Sequence, residues 1–292
     1  MKTQCPFPSD VAPSARGLAG RRSARCVVRE GAGHGFGCHG AAWLAVALVL
    51  LLMPCVAGAG DVPEAALDRR VGHAYTLDGG RFVYREIHEP VVAEGKLLGD
   101  RVTYVDPAGT VFARKRVEFV PNALAPAFRL EEERTGYVEG LRRPDAGGIE
   151  LFRRKGKEAA FEAATLDPPP ETVADAGFDI LIYRRLERLE AGETVEFPFA
   201  APSQLDVVAF RLRAIDRRVV LGEPAVVIRM EPANMFIRWL ADPIDVAYHA
   251  RTGALLRYEG LSNIPNPDAD GNYRVRIDFP PPGVEPQPPA AE

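Results

Sequence analysis

From about residue 73 onward the apolar positions of this chain fall in short runs closed by Gly, Pro or Asp, the punctuation of a β-rich fold. Residues 81–85 (RFVYR) follow an Asp78-Gly79-Gly80 turn. Residues 101–105 and 110–119 flank Asp106-Pro107-Ala108-Gly109, a good hairpin turn. Gly147-Gly148 precedes 149–152. The runs 194–199, 205–215 and 219–230 are rich in Val, Ile and Phe; 246–248 and 255–258 flank Arg251-Thr252-Gly253; 273–279 ends the fold. This spacing predicts roughly a dozen strands joined mostly by tight turns. That is an antiparallel meander, in a sandwich or an open barrel, rather than alternating βαβ units.

Alternation sets the faces. Val208, Phe210, Leu212 and Ala214 point one way, Ala209, Arg211 and Arg213 the other. One side of the sheet is therefore apolar and the other wet and charged, with its arginines opposite Glu and Asp of neighbouring strands. The period changes at 172–190, after Pro168-Pro169-Pro170. Phe178, Ile182, Leu186 and Leu189 recur at helical spacing with Leu181 alongside, while Arg184, Arg185, Glu187 and Arg188 lie largely off that stripe. Thr172 with Asp175 resembles a capping box, Asp175 being an alternative N-cap, and Ala191-Gly192 ends the helix. It is an amphipathic helix made to lie on a sheet. A second, short helix is expected at 235–240, capped by Asn234 and stopped by Pro243. From 280 to 292 a proline-rich stretch predicts an extended, disordered tail.

The first 59 residues read as a leader outside the fold. Residues 41–53 (AAWLAVALVLLLM) form a charge-free apolar run of 13 residues. A membrane-crossing helix needs about 20. The run has the length of a signal-peptide core, with Arg16, Arg21, Arg22, Arg25 and Arg29 upstream and Ala57-Gly58-Ala59 as the cleavage site. The cut is placed after Ala59, which predicts export to the periplasm. The region upstream of the core is long, and a downstream start codon would shorten it. Cys5, Cys26, Cys38 and Cys55 all precede the cut, so the mature chain has no disulfide, thiolate metal site or thiol nucleophile. Cys55 follows Pro54, where lipid attachment wants a small residue, so anchoring there is not expected.

Composition narrows the classes further. Of 292 residues, 47% are hydrophobic and 26% charged, an ordinary globular balance that excludes a collagen, a coiled coil and a multi-span membrane protein. The leader holds six basic and two acidic residues. That leaves 30 basic and 38 acidic residues in the mature chain, a net charge of −8, unsuited to nucleic acid or anionic lipid.

No motif carries chemistry. Residues 35–40 match G-x-G-x-x-G, but no strand precedes them and they lie in the leader. Residues 266–272 resemble the first half of a calcium loop. Asn266 stands first, however, and Ile277 occupies the twelfth position, where a bidentate Glu is required, so they read as a polar hairpin loop. His73, His88 and His249 are each isolated, and Ser203 and Ser262 lie in no nucleophile motif; Ser262 looks like turn chemistry. No catalytic residue, metal site or cofactor is expected. Of the strand aromatics (Phe82, Tyr84, Tyr104, Phe128, Phe210 and Tyr258 among them), most are core, and some could line a ligand cavity.

The signal peptide, the long meander, the Ala176-Gly177-Phe178-Asp179 helix start and the 248–260 segment (YHARTGALLRYEG) together resemble an uncharacterised family of exported bacterial proteins. That family is thought to share the half-barrel of the periplasmic lipoprotein carrier. The resemblance covers roughly 74–279. It implies a strongly curved antiparallel sheet with a helix on its concave face and, in the carrier, a cavity for acyl chains. No ligand residue of the carrier has a counterpart here. Two readings follow. One is a periplasmic carrier whose apolar cavity, lined by Phe178, Ile182, Leu186, Phe210 and Leu212, takes a lipid-like ligand. The other is a non-catalytic structural or interaction module of the cell envelope with a filled core, contacting an envelope protein. An enzyme is the least favoured. The expected organisation is a leader (1–59), one half-barrel domain (60–279) and a tail (280–292).

Overall fold

The computed structural model describes residues 62–145, 147–234 and 242–284. The leader, the helix expected at 235–240 and the tail beyond 284 lie outside the described residues. Among those described are fourteen strands: β1 (Arg70–Thr76), β2 (Phe82–Ala93), β3 (Lys96–Val105), β4 (Val111–Glu118), β5 (Ala127–Glu132), β6 (Val138–Arg142), β7 (Ile149–Arg154), β8 (Glu162–Leu166), β9 (Val195–Ala201), β10 (Asp206–Val220), β11 (Glu223–Pro232), β12 (Ile244–His249), β13 (Leu255–Pro265) and β14 (Asn272–Asp278). One helix, α1 (Gly177–Glu190), lies between β8 and β9, and a short 3-10 turn, Glu64–Leu67, precedes β1.

All fourteen strands join one antiparallel sheet in the order β8-β7-β6-β5-β4-β3-β2-β1-β14-β13-β12-β11-β10-β9. The chain thus makes two meanders, β1 to β8 and β9 to β14, stitched together where β1 pairs with β14 (His73 opposite Asp278). The sheet is open, with β8 and β9 as its edges, yet it curves far enough for its two ends to touch. Ala200, with Leu205 and Val207, packs in one cluster with Ile149 and Leu151 of β7, and Arg153 of β7 donates to the Ser203 carbonyl. The seam is bridged by the segment leading into α1. Val173 N–H donates to Pro198 O at 2.8 Å, and its own carbonyl accepts from Ala200 N–H at 2.8 Å. One residue on, Ala174 N–H donates to Leu124 O at 2.9 Å.

The helix lies inside the curve. Ile182 and Leu189 pack against Leu212, Val226, Ile228 and Val246 of β10 to β12. Ile180 instead joins Val117, Phe128, Leu141 and Leu151 of β4 to β7. A third cluster, built on Tyr84, Tyr104, Phe112 and Tyr273, fills the part of the curve spanned by β1 to β4 and β14. Gly177 sets how close the helix start can come: a Cβ there would stand 1.8 Å from the Leu124 carbonyl oxygen.

Local signals explain much of this and correct part of the expectation. The 219–230 run is not one strand. It is broken by Leu221 and Gly222, both at positive φ (53° and 84°), a tight turn matching the twist of the β10–β11 hairpin. Strands β1, β5, β6 and β8 add to those expected. Thr172 and Asp175 do not cap α1. The N-cap is Ala176 without a side-chain hydrogen bond, Thr172 donates to Pro169 O at 2.6 Å, and Asp175 pairs with Lys115. The far end follows expectation: Ala191 N–H reaches Glu187 O, and Gly192 takes φ 86°. On β10, Arg211 pairs with Glu231 of β11 at 2.5 Å, the cross-strand partnership expected of the wet face.

Candidate functional site

Strand alternation and register place two kinds of side chain on the concave face. Around the C-terminal meander it is apolar. Phe178, Ile182, Leu186, Phe210 and Leu212, expected to line a cavity, do come together in one cluster. Ile182 and Leu212 are fully buried, and Phe178, Leu186 and Phe210 are half-buried at its margin. Phe210 also packs edge-on to Phe199, ring centroids 5.7 Å apart. Two recesses stand out among the described residues, and none of the five lines either. One is a cavity of about 40 Å³ beside Arg70, Asp100, Phe119, Asp179 and Ile180. The other, about 320 Å³, is an open recess bounded by charges of both signs, Arg114, Glu131 to Glu133, Arg154 and Lys157.

Around the N-terminal meander the same face is polar. Register puts Glu86 opposite Gly72 and Tyr104, and His88 opposite Arg70 and Val102. His88 Nδ1 lies 2.7 Å from Asp100 Oδ2, and its Nε2 lies 3.2 Å from Glu86 Oε1. The Arg70 guanidinium reaches the same Asp100 oxygen at 3.6 Å. Farther round, Lys115 of β4 meets Asp175 at 3.0 Å, both side chains about one-tenth exposed. Tyr137 donates to Glu139 of β6 at 2.7 Å. From the other meander, Tyr248 of β12 donates to Asp179 in the first turn of α1. Asp100 Oδ1 and Asp175 Oδ2 are buried and find no hydrogen-bond partner.

Burial governs the electrostatics of this belt. It raises the Asp179 carboxyl against the hydrogen bond from Tyr248, and it raises the Tyr248, Tyr104 and Tyr84 hydroxyls well above their usual range. It also drives Glu139 up to about 7, with the neighbouring Asp175 charge adding to the rise and the Tyr137 hydrogen bond and Lys115 opposing it. Two groups run the other way. Burial would raise Asp100, but the hydrogen bond and charge of His88, then Arg70 and Lys115, hold it below the usual range. Burial would lower Lys115, but Asp175 outweighs it and the ammonium is held charged more firmly than usual. A buried ion pair costs desolvation that its attraction only partly returns. The belt therefore fixes which elements meet rather than adding much stability.

Other sequence candidates have structural positions. His249 accepts the Arg251 and Thr252 amides at 3.1 Å each and closes the β12–β13 turn. His73 packs near Phe82 on the face opposite His88. Ser262 is buried at an irregularity in β13, accepting from Tyr84 OH at 3.3 Å and Ile264 N–H at 2.8 Å. The 266–271 loop closes a hairpin through Asn266 N–H to Gly271 O. Among the described residues, no group of three or more His, Cys, Asp or Glu side chains is placed to hold a metal ion. No helix among them is long and apolar enough to cross a membrane.

The polar belt is what sequence reading missed. A signal was present: Tyr84, Glu86 and His88 alternate with Val83, Arg85 and Ile87, and Asp100, Val102 and Tyr104 repeat the period. Period alone does not say that the polar side faces inward.

No protein-family model matches the chain, and no curated protein matches it. Among solved structures it is similar to a β-barrel-like protein of a domain of unknown function, DUF1849, from Brucella abortus. That match has 9% identity over 72% of this chain and 94% of the other, with a TM-score of 0.43.

Proposed function

We propose that this chain is a non-catalytic interaction module of the cell envelope, exported by its leader, rather than a carrier of acyl chains. The observation that carries the reading is the way α1 occupies the concave face. Ile180, Ile182 and Leu189 are at most 3% exposed, and they pack against both meanders. The cavity left beside the helix is about 40 Å³. Sites for drug-sized ligands run to roughly 300–1,000 Å³, mostly apolar. The 320 Å³ recess is large enough but is open and lined by charges. A carrier built on this fold would have to expel the helix first. The face left for partners is the outer one, where the part-exposed pairs Arg211–Glu231 and Arg229–Asp245 lie on β10 to β12.

The test is native mass spectrometry of protein purified from a bacterial periplasm, with displacement of a fluorescent fatty acid at micromolar concentration. The expected outcome is bare polypeptide mass and no displacement. A stoichiometric co-purifying lipid would sink the reading and restore the carrier.

A further inference from the structure

The segment 172–177 between β8 and α1 is held by three ties: Val173 to β9, Ala174 to the Leu124 carbonyl, and Asp175 to Lys115. Only the third is ionic. Asp175 adopts φ +41°, a left-handed conformation that costs a residue with a Cβ and persists only where its surroundings enforce it. Its second oxygen, Oδ2, is buried without a partner. Glu139 of β6, 6% exposed, belongs to the same buried belt.

We propose that Glu139 is a proton-operated latch on the segment that carries α1. While Glu139 is neutral, Asp175 is the carboxylate that Lys115 pairs with directly, and the pair holds the segment against β4. Once it is ionised, two carboxylates compete for one ammonium and the segment loosens.

Every element facing Glu139 supports this. Tyr137, just ahead of its own strand, serves it as a hydrogen-bond donor. From β4 comes Lys115, aligned with Glu139 on the same face through Leu130 of β5, paired with Asp175 and also feeling the charges of Glu86 on β2 and Asp100 on β3. From β3 comes the buried Tyr104 hydroxyl, which feels the Glu139 charge. Its cross-strand neighbour on β7 is Arg153, which Glu162 of β8 engages at 2.7 Å. Its neighbour on β5 is the apolar Leu130, and Glu132 of that strand is held by Arg134 and Thr135. Each nearby cation is thus committed elsewhere, and burial with the Asp175 charge sets the carboxyl at about 7. The latched state holds a proton that the loosened state gives up, so the latch weakens as pH rises. Loosening also frees the Ala200 amide and uncovers the outer edge of β9, which Val173 covers.

Hydrogen exchange read by mass spectrometry tests this at pH 6 and pH 8 on the full chain, corrected for the base-catalysed intrinsic rate. In the wild type, protection of peptides covering 172–182 and 195–201 should fall by about tenfold from pH 6 to pH 8. That is the change expected of one carboxyl near 7 when latched and in its ordinary range when loosened. Glu139→Gln should keep the same protection at both values. Equal wild-type protection at the two pH values, or an undiminished fall in Glu139→Gln, overturns the latch. If Glu139→Gln does not fold, carbon-13 carboxylate NMR of the wild type decides. A protection midpoint that tracks the Glu139 titration supports the latch, and one that departs from it overturns it.

Discussion

Tyr248 of β12 donates its hydroxyl to Asp179, 69 positions earlier and in the first turn of α1. The bond ties the helix to the C-terminal meander just where Ile180 turns toward the N-terminal one. The donor is replaceable in shape by phenylalanine, so Tyr248→Phe would leave Asp179 partly buried without its donor. Stranding a buried acceptor costs about 1–3 kcal/mol, more if charged. Urea unfolding should show that loss. Asp179→Asn, which still accepts from Tyr248, should cost less. The reverse ranking would mean the contact does not hold the helix.

Lys115 and Asp175 make a second tie, testable as a cycle. Lys115→Met removes one partner of a buried pair and should destabilise by about 3–5 kcal/mol, because Asp175 is then an uncompensated charge. Adding Asp175→Ala to Lys115→Met should recover part of that loss. Denaturation of the two single variants and the double gives the coupling. Simple additivity would show that the pair does not interact in solution.

Much of the sheet was legible because its strands obey simple rules. On β10, Val208 to Ala214 alternate cleanly, and the wet-face arginines found the acidic partners expected of them. The turn at Leu221–Gly222 was not legible, because a lone glycine after leucine lacks the Asn or Asp that usually marks such a turn. Strands β5 and β6 were hidden by charge. Glu131 to Glu133 look like a solvated run, yet Glu132 is 1% exposed, its carboxylate taken by Arg134 and Thr135. The capping box at Thr172 failed because the backbone there is committed to β9 instead. The interior belt depends on register: His88 meets Asp100 only because the Glu94–Gly95 turn folds β2 back on β3 at that offset.

Asp100 gives a pH prediction of definite sign. Its folded carboxyl is held below the usual range, so the unfolded chain binds the proton more readily. The contribution to stability is present above the ordinary aspartate value and is lost as pH falls through the lowered folded value. Urea midpoints measured from about pH 6 down to about pH 2 should therefore converge for wild type and Asp100→Asn, the wild type losing more. A gap between the two that stays constant with pH would show that Asp100 is not ionically held.

The helix supplies the sharpest separation between a filled interior and a carrier. Ile182 is fully buried in the cluster with Leu212, Val226 and Val246, whereas Arg188 is half-exposed and pairs with Glu193 at the helix end. If α1 is a fixed part of the core, Ile182→Ala removes packed atoms from a site that cannot collapse and should cost about 2–5 kcal/mol. Arg188→Ala breaks one surface pair and should change stability by about 0.5 kcal/mol or less. If α1 were instead a mobile lid over a ligand space, its apolar face would pack loosely. Ile182→Ala would then cost little and would act mainly on uptake of an apolar probe. Urea unfolding of both variants, run beside the fatty-acid displacement assay, distinguishes the two. A large loss for Ile182→Ala with no probe binding by either variant is the outcome this packing predicts. Small, equal losses would mean that the helix does not pack as described.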